Sequence, residues 1–415
     1  MRQMNKKEPS AFDKLARSLP WLLRYPLWRA AESARRITEE SGTRRLIFVV
    51  ANHFEPAWNG TREGLGVDAQ LARLEDWHLE ARLTAAAIRD GDGASFRHTN
   101  FYPAEQYDRR LLEELAQMQA EGLGEVEVHL HHGVERPDDP ISLRQTLEEF
   151  RDRLAYEHNC LSRLNGEGPP MYGFVHGNWA LANSAGGQFC GVDSEMQILS
   201  ETGCYADFTL PATYTRAQVP RINAIYQCGN PLNERAPHRS GPNLRVGVKP
   251  VGPVLMTGPT VFDWRRRKRG IPVPRIDDGV VTASYPLDLG RLRHWQSAGV
   301  GVRGRPEWVF IKLHCHGFFR SDQEITIGEP MRRFLEDVLE LSERSAGFKV
   351  LFATAREAFN IAMAAVERRS GEPGQYRDYQ LRQIMQESKN ACVQQSYLPD
   401  PLGVGAAAAQ LERGI

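Results

Sequence analysis

EVEVHLHHG, residues 125–133, carries a β-type alternation directly into three histidines, and three further segments repeat the pattern. Arg45 to Ala51 leads into Asn52-His53, Tyr172 to Val175 into His176, and Trp308 to Leu313 into His314-Cys-His316. Together the four segments hold seven of the twelve histidines. Each run reads as a buried strand, and helix-length amphipathic stretches lie between them. That order is expected of βα units, in which the carboxyl ends of parallel strands gather the functional side chains. The pattern predicts an α/β chain folded as an irregular β/α barrel of seven or eight units with its histidines at one mouth.

Working outward, the spacing predicts helices over about Val67 to Ile88, Ala104 to Ala120, Pro140 to Leu161, Ser194 to Glu201, Leu287 to Ser297, Met331 to Ser342 and Ala355 to Arg368. A short strand is expected near Ala94 to His98, and another over Lys349 to Ala353. Residues 211–285 break the rhythm with Pro, Gly, Arg and Asn, and read as an irregular insertion over one face. The barrel would span 44–370. Residues 1–43 form a basic amphipathic helical leader, and 371–415 a polar, partly disordered tail.

Composition narrows the classes. A 41 % hydrophobic and 25 % charged chain of 415 residues can bury a full core. Lys plus Arg equals Asp plus Glu at 52 each, so no global field draws the molecule to nucleic acid, and nucleic-acid partners are not expected. The six cysteines show no CxxC pair and read as reduced thiols of a cytoplasmic protein, with a Cys190–Cys204 bridge as the alternative. No apolar run is long enough to span a membrane. The leader, with Trp21 and Trp28 among arginines, could lie on an anionic inner-membrane face or pack against the barrel. Trp264-Arg-Arg-Arg-Lys-Arg269 reads as solvated surface, or as a site for a phosphate or lipid head group. Neither a phosphate-cradling GxxxxGK[ST] nor a Gly-x-Ser-x-Gly elbow occurs.

Residues two apart on a strand point to the same side. His129 and His131 therefore share a face, as do His314 and His316, and such pairs can converge on one ion at about 2.0–2.1 Å. The metal ligands predicted on this basis are His53, His129 and His131, around one divalent ion, most simply Zn²⁺. Glu55, which could be a ligand or a general base, is taken as the base that accepts the water proton, and His314 as the acid that protonates a leaving amine. Asn52, His132, His176, Asn178, Trp179, Asp207, Lys312 and His316 are expected to meet substrate. Trp179 could stack on a sugar ring or fill the barrel mouth, Asp207 could orient a histidine, and Lys312 suits a phosphate or carboxylate.

In order and context these motifs resemble the glycoside hydrolase/deacetylase β/α-barrel superfamily, particularly the polysaccharide deacetylase (NodB-homology) family. The counterparts are ANHFEP at 51–56, HTNFYP at 98–103, EVEVHLHHG at 125–133, FVHGNW at 174–179, CYADFTLP at 204–211 and KLHCHG at 312–317. The resemblance covers roughly 45–365. It implies removal of N-acetyl groups from a carbohydrate, on a lipid or nucleotide carrier in surface-polysaccharide assembly. Two departures stand out: Asn52-His53 replaces the family's acidic pair, and Gly133 stands where its second histidine falls, so that His131 or His132 must substitute. The same histidines would also suit an amidohydrolase- or glycosidase-like barrel, or a catalytically inactive barrel that binds glycans.

Overall fold

A computed structural model describes residues 11–38, 42–58 and 64–386. Its strands are β1 (Arg44–His53), β2 (His98–Pro103), β3 (Gly124–Leu130), β4 (Ser162–Leu164), β5 (Glu167–His176), β6 (Cys204–Asp207), β7 (Ile225–Gln227), β8 (Val254–Met256), β9 (Val261–Asp263), β10 (Arg267–Lys268), β11 (Ile271–Pro272), β12 (Arg275–Asp277), β13 (Val280–Val281), β14 (Trp308–Cys315), β15 (Phe348–Phe352) and β16 (Leu381–Gln383). The helices are α1 (Ala11–Leu22), α2 (Tyr25–Thr38), α3 (Val67–Ala87), α4 (Arg109–Ala120), α5 (Pro140–Asp152), α6 (Glu195–Glu201), α7 (Leu289–Ala298), α8 (Gln323–Ile327), α9 (Glu329–Arg344) and α10 (Ala355–Val366).

Twelve strands form one mixed, mostly parallel sheet with the path β13-β14-β1-β2-β3-β5-β6-β8-β7. The first half of β1 also pairs with β15, on the side that β2 takes higher up. Apolar side chains on both faces explain the unbroken apolar runs of a parallel sheet. Along β1, Ile47, Val49 and Ala51 enter one core with α10, while Leu46, Phe48 and Val50 enter another with α7 and α9. Phe310 on β14, Phe101 on β2 and Val175 on β5 join the first core. The sheet is strongly curved, because the Lys312 ammonium on β14 donates to the Leu210 carbonyl beyond β6 at 2.7 Å, although several strands separate the two along the path.

All twelve residues of α10 are buried, and the helix packs against β1 and β5. Ala355, Ala358, Ala362, Ala364 and Ala365 let its backbone approach the strands closely. Thr354 and Glu357 close a capping box at its start. The charged alternation of β3 is satisfied within this interior. Glu125 pairs with Arg356 of α10 at 2.8 Å, and Glu127 accepts from the Tyr205 hydroxyl and the Gly173 amide, each at 2.6 Å.

Several expected boundaries move. The strand placed near Ala94 to His98 is instead His98–Pro103, because Asp90 accepts from the amides of Asp92 and Ala94 and holds the preceding segment in a turn. The following helix accordingly starts at Arg109, capped by Asp108. The helix expected to run to Leu161 stops at Asp152 and loosens into a π turn, after which Asn159 and Leu161 adopt left-handed backbone and β4 begins. The segment 211–285 does more than cover a face, since β7, β8 and β13 extend the main sheet. Among the described residues the leader holds two helices, α1 and α2. Trp21 is fully buried beside Ile222 and Ile276, so this segment packs on the 211–285 region. Beyond Gly371, β16 pairs with β4, while the chain's last stretch lies outside the described residues. Cys160, Cys190, Cys204, Cys228 and Cys315 are buried free thiols. Among the described residues no helix is long and apolar enough to cross a membrane.

Candidate metal centre

Parallel pairing aligns the carboxyl ends of β14, β1, β2, β3 and β5, which brings their last residues to one edge of the sheet. His53 ends β1. Phe54 then turns into the core against Phe318, with ring centroids 4.1 Å apart, and this turn directs Glu55 back toward the histidines.

Glu55 is the hub. Its Oε1 lies 3.2 Å from His129 Nε2, 3.5 Å from His131 Nε2 and 4.0 Å from His316 Nε2. The far side of each strand-borne ring is fixed. His129 Nδ1 meets the Val175 carbonyl at 2.9 Å, and His131 Nδ1 meets Glu105 Oε1 at 2.7 Å. A carbonyl and a carboxylate only accept, so each ring places a proton on Nδ1 and turns Nε2 inward, which is how histidine ligands of metals are held. The His53 ring lies edge-on 4.9 Å from His129 and tilted 4.6 Å from His316, and its buried Nδ1 has no hydrogen-bond partner among the described residues. Ligand atoms of His53, Glu55 and His129 all lie within 4.8 Å of one another.

The electrostatics suit a cation. Burial alone would raise the Glu55 carboxyl, but the hydrogen bond to His129 and the charges of His316, His129 and His131 hold it at about 2. Burial, with the neighbouring histidines, pushes His53 well below its ordinary value and lowers His316. Burial acts the same way on His131, where the hydrogen bond and charge of Glu105 outweigh it and raise the value. A carboxylate surrounded by imidazole nitrogens, one of them buried with no partner among the described residues, is a donor set that fits a divalent transition metal.

Outside this hub the expected residues fall differently. Asn52 sets a turn: its Oδ1 accepts from the Gly317 amide at 2.8 Å and its Nδ2 donates to Asn100. His314 is buried beneath the hub and is not among the histidines within 4.0 Å of Glu55. Lys312 is spent on the backbone carbonyls of Phe208 and Leu210, and burial lowers its ammonium to about 7. Asp207 accepts from the Thr209 hydroxyl at 2.7 Å, and Thr209 in turn receives the His176 amide. Trp179, in left-handed backbone, sets its ring 6.1 Å from His53 and 6.3 Å from His316. Asn178 is half-buried beside it, its Nδ2 without a partner among the described residues. His316 stacks on Phe319 at 4.7 Å, and Phe319 on the exposed Trp58 at 5.4 Å, so an aromatic path runs from the hub to the surface.

His132 and His176 belong to a separate cluster with Cys190 and Glu195, all buried, whose ligand atoms lie within 4.8 Å of one another. Glu105, Phe319, Cys190 and Glu195 were not expected from the sequence. Glu105 and Glu195 reach their histidines across 26 and 63 residues of chain, a separation at which no local spacing carries a signal.

Among known proteins, no family model matches the chain and no curated protein is significantly similar to it.

Proposed function

We propose that this chain is a metal-dependent hydrolase whose curved sheet is a β/α barrel of the deacetylase type, acting on the N-acetyl group of a carbohydrate. The observation that carries the reading is the paired orientation of His129 and His131, each pinned at Nδ1 and each directing Nε2 onto Glu55 at the carboxyl edge of the sheet. His53, Glu55, His129 and His131 would hold one divalent ion. When bound, it supplies Lewis-acid polarisation of the amide carbonyl and acidifies water. Glu55 thus serves as ligand rather than base.

The proton falls to His316. It is partly exposed, its Nε2 lies 4.0 Å from Glu55, and burial lowers its value, so its imidazole would take a proton from the attacking water and pass it to the departing amine. His314 precedes it by two residues, on β14, and is buried. Trp179, Phe319 and Trp58 would stack on the sugar, since a pyranose face matches an aromatic surface. A lipid carrier for that sugar suits the exposed leucines of α1 and α2, together with the basic tip around β10 and β11.

The test is metal content by elemental mass spectrometry on the purified protein and on His129→Ala, followed by acetate release from N-acetylated oligosaccharides. The variant should lose about one ion per chain and its activity, with circular dichroism unchanged. An inactive variant that keeps all its metal would sink the ligand assignment. Absence of metal after loading with zinc, manganese or iron would favour the glycan-binding barrel.

A further inference from the structure

The second cluster is assembled from four places in the chain. His132 follows β3, His176 ends β5, Cys190 lies in the Gly-rich loop, and Glu195 opens α6. Cys190, His176 and Glu195 have no exposed surface, and His132 has 7 %. His132 Nε2 lies 3.3 Å from Glu195 Oε1, Cys190 Sγ 3.3 Å from Glu195 Oε2, and His176 Nε2 4.0 Å from the same oxygen. Tetrahedral ligands at about 2.0–2.3 Å from an ion stand roughly 3.3–3.8 Å apart. Asp138 Oδ2 accepts from His132 Nδ1 at 3.0 Å, leaving Nε2 turned inward. The fully buried His176 Nε2 points toward Glu195 with no hydrogen-bond partner among the described residues. A buried polar atom with nothing to bind is costly.

From these observations we infer that His132, His176, Cys190 and Glu195 form a second, closed metal site with a thiolate ligand, distinct from the Glu55 hub and structural in role. A donor set of two imidazoles, a thiolate and a carboxylate suits zinc and disfavours magnesium or calcium. Binding sends the Cys190 thiol proton to solvent. Ligation through His176 Nε2 leaves that ring's proton on Nδ1, so the backbone N–H of Asn178, which here donates to Nδ1 at 3.2 Å, gives up that bond on binding. The site would clamp the loop that carries Trp179 over the first centre. That loop already lies tight on the sheet: a Cβ at Gly133 would run into the Cys190 carbonyl, and the Ala182 amide donates to Glu195 at 2.6 Å.

Cobalt(II) loading of the full chain tests this, because only a sulfur ligand produces an intense thiolate-to-cobalt band in the near ultraviolet and the Glu55 hub contains none. The band should appear in the wild type and vanish in Cys190→Ser. The visible d–d bands of the first centre should remain in Cys190→Ser, and His129→Ala should show the converse. Visible bands at full loading without the thiolate band would overturn the inference and leave a hydrogen-bonded clamp. A thiolate band that survives Cys190→Ser would overturn it too. A thiolate band without the first centre's ion would instead count against the proposed function while supporting this site. Circular dichroism of Cys190→Ser, an isosteric change, separates metal loss from unfolding.

Discussion

The Nδ1 partners decide what the histidines can do. Glu105 touches no candidate substrate position, yet its 2.7 Å contact is what turns His131 Nε2 onto Glu55. Glu105→Gln should therefore weaken metal affinity roughly 10- to 100-fold with the fold intact, measured by competition with a chromophoric chelator. Unchanged affinity would remove His131 from the ligand set. His98 illustrates the opposite case, a histidine with no chemistry to perform. It lies between Trp77 and Phe96, at ring distances of 5.4 and 5.2 Å, and burial lowers it to about 3, partly offset by a backbone bond to Thr326. The folded chain keeps it neutral while the unfolded chain protonates near 6.5, so stability is present above about pH 6.5 and is lost as pH falls toward 3, at about 1.4 kcal/mol per pH unit. In urea titrations between those limits, His98→Phe should reduce the slope of stability against pH by about one proton. An unaltered slope would refute the burial account. The sequence made the His129-x-His131 pair visible because alternation on a strand is a local rule. It left Glu105 invisible because that contact exists only after β2 and β3 are in register.

At the scale of elements, α10 governs the interior. AREAFNIAMAAV reads as a helix from its spacing, but nothing local distinguishes a helix on the outside of a sheet from one enclosed by it. Only its closing run of apolar and mostly small residues, Ile361 to Val366, hints at the second arrangement. Overfilling should be resisted: Ala362→Leu should cost about 1–3 kcal/mol of unfolding free energy. Its single buried guanidinium is a stronger constraint. Arg356 pairs with Glu125 at 2.8 Å and also donates to the Leu381 carbonyl at 2.7 Å, tying β3, α10 and β16 together. Arg356→Met leaves Glu125 charged in the core and should cost about 3–5 kcal/mol, with part recovered in the Arg356→Met, Glu125→Gln double variant. Additive losses would show that the two side chains do not act as a pair. The strands β1, β5 and β14 were legible as apolar runs ending in histidine. The end of α5 was not, because neither the π turn at Arg153–Glu157 nor the left-handed residues at 159 and 161 that follow it carry a local marker as strong as Gly or Pro.

For the molecule as a whole, formal charge balances, so any attraction to an anionic surface must come from one region. The insertion and the leader build such a region jointly. Trp21 and Tyr25 pack on Phe262 at 5.8 and 4.9 Å, and Phe262 on Trp264 at 6.0 Å, which joins the helical pair to the basic β10–β11 tip. Of the two tryptophans that could have met lipid, Trp21 is thereby buried and Trp28 half-buried, and the apolar exposure passes to Leu23 and Leu27 at 74 and 75 %, with Ile271 at 68 % and Trp264 at 58 %. Arg266, Arg267, Lys268 and Arg269 surround the latter two and are exposed. Apolar side chains that enter the head-group layer beside clustered cations are what an interfacial contact requires. The full chain should sediment with vesicles containing phosphatidylglycerol and not with pure phosphatidylcholine, and high salt should release it. Each cation near an anionic surface contributes about 1 kcal/mol, so Arg266→Ala with Arg267→Ala should weaken partitioning roughly thirtyfold. Leu23→Gln with Leu27→Gln should weaken it at every salt concentration at which the chain binds, because it removes the insertion term and leaves the Coulombic one. Equal binding to both vesicle types would overturn the electrostatic account and leave insertion alone, whereas binding to neither would detach this surface from lipid.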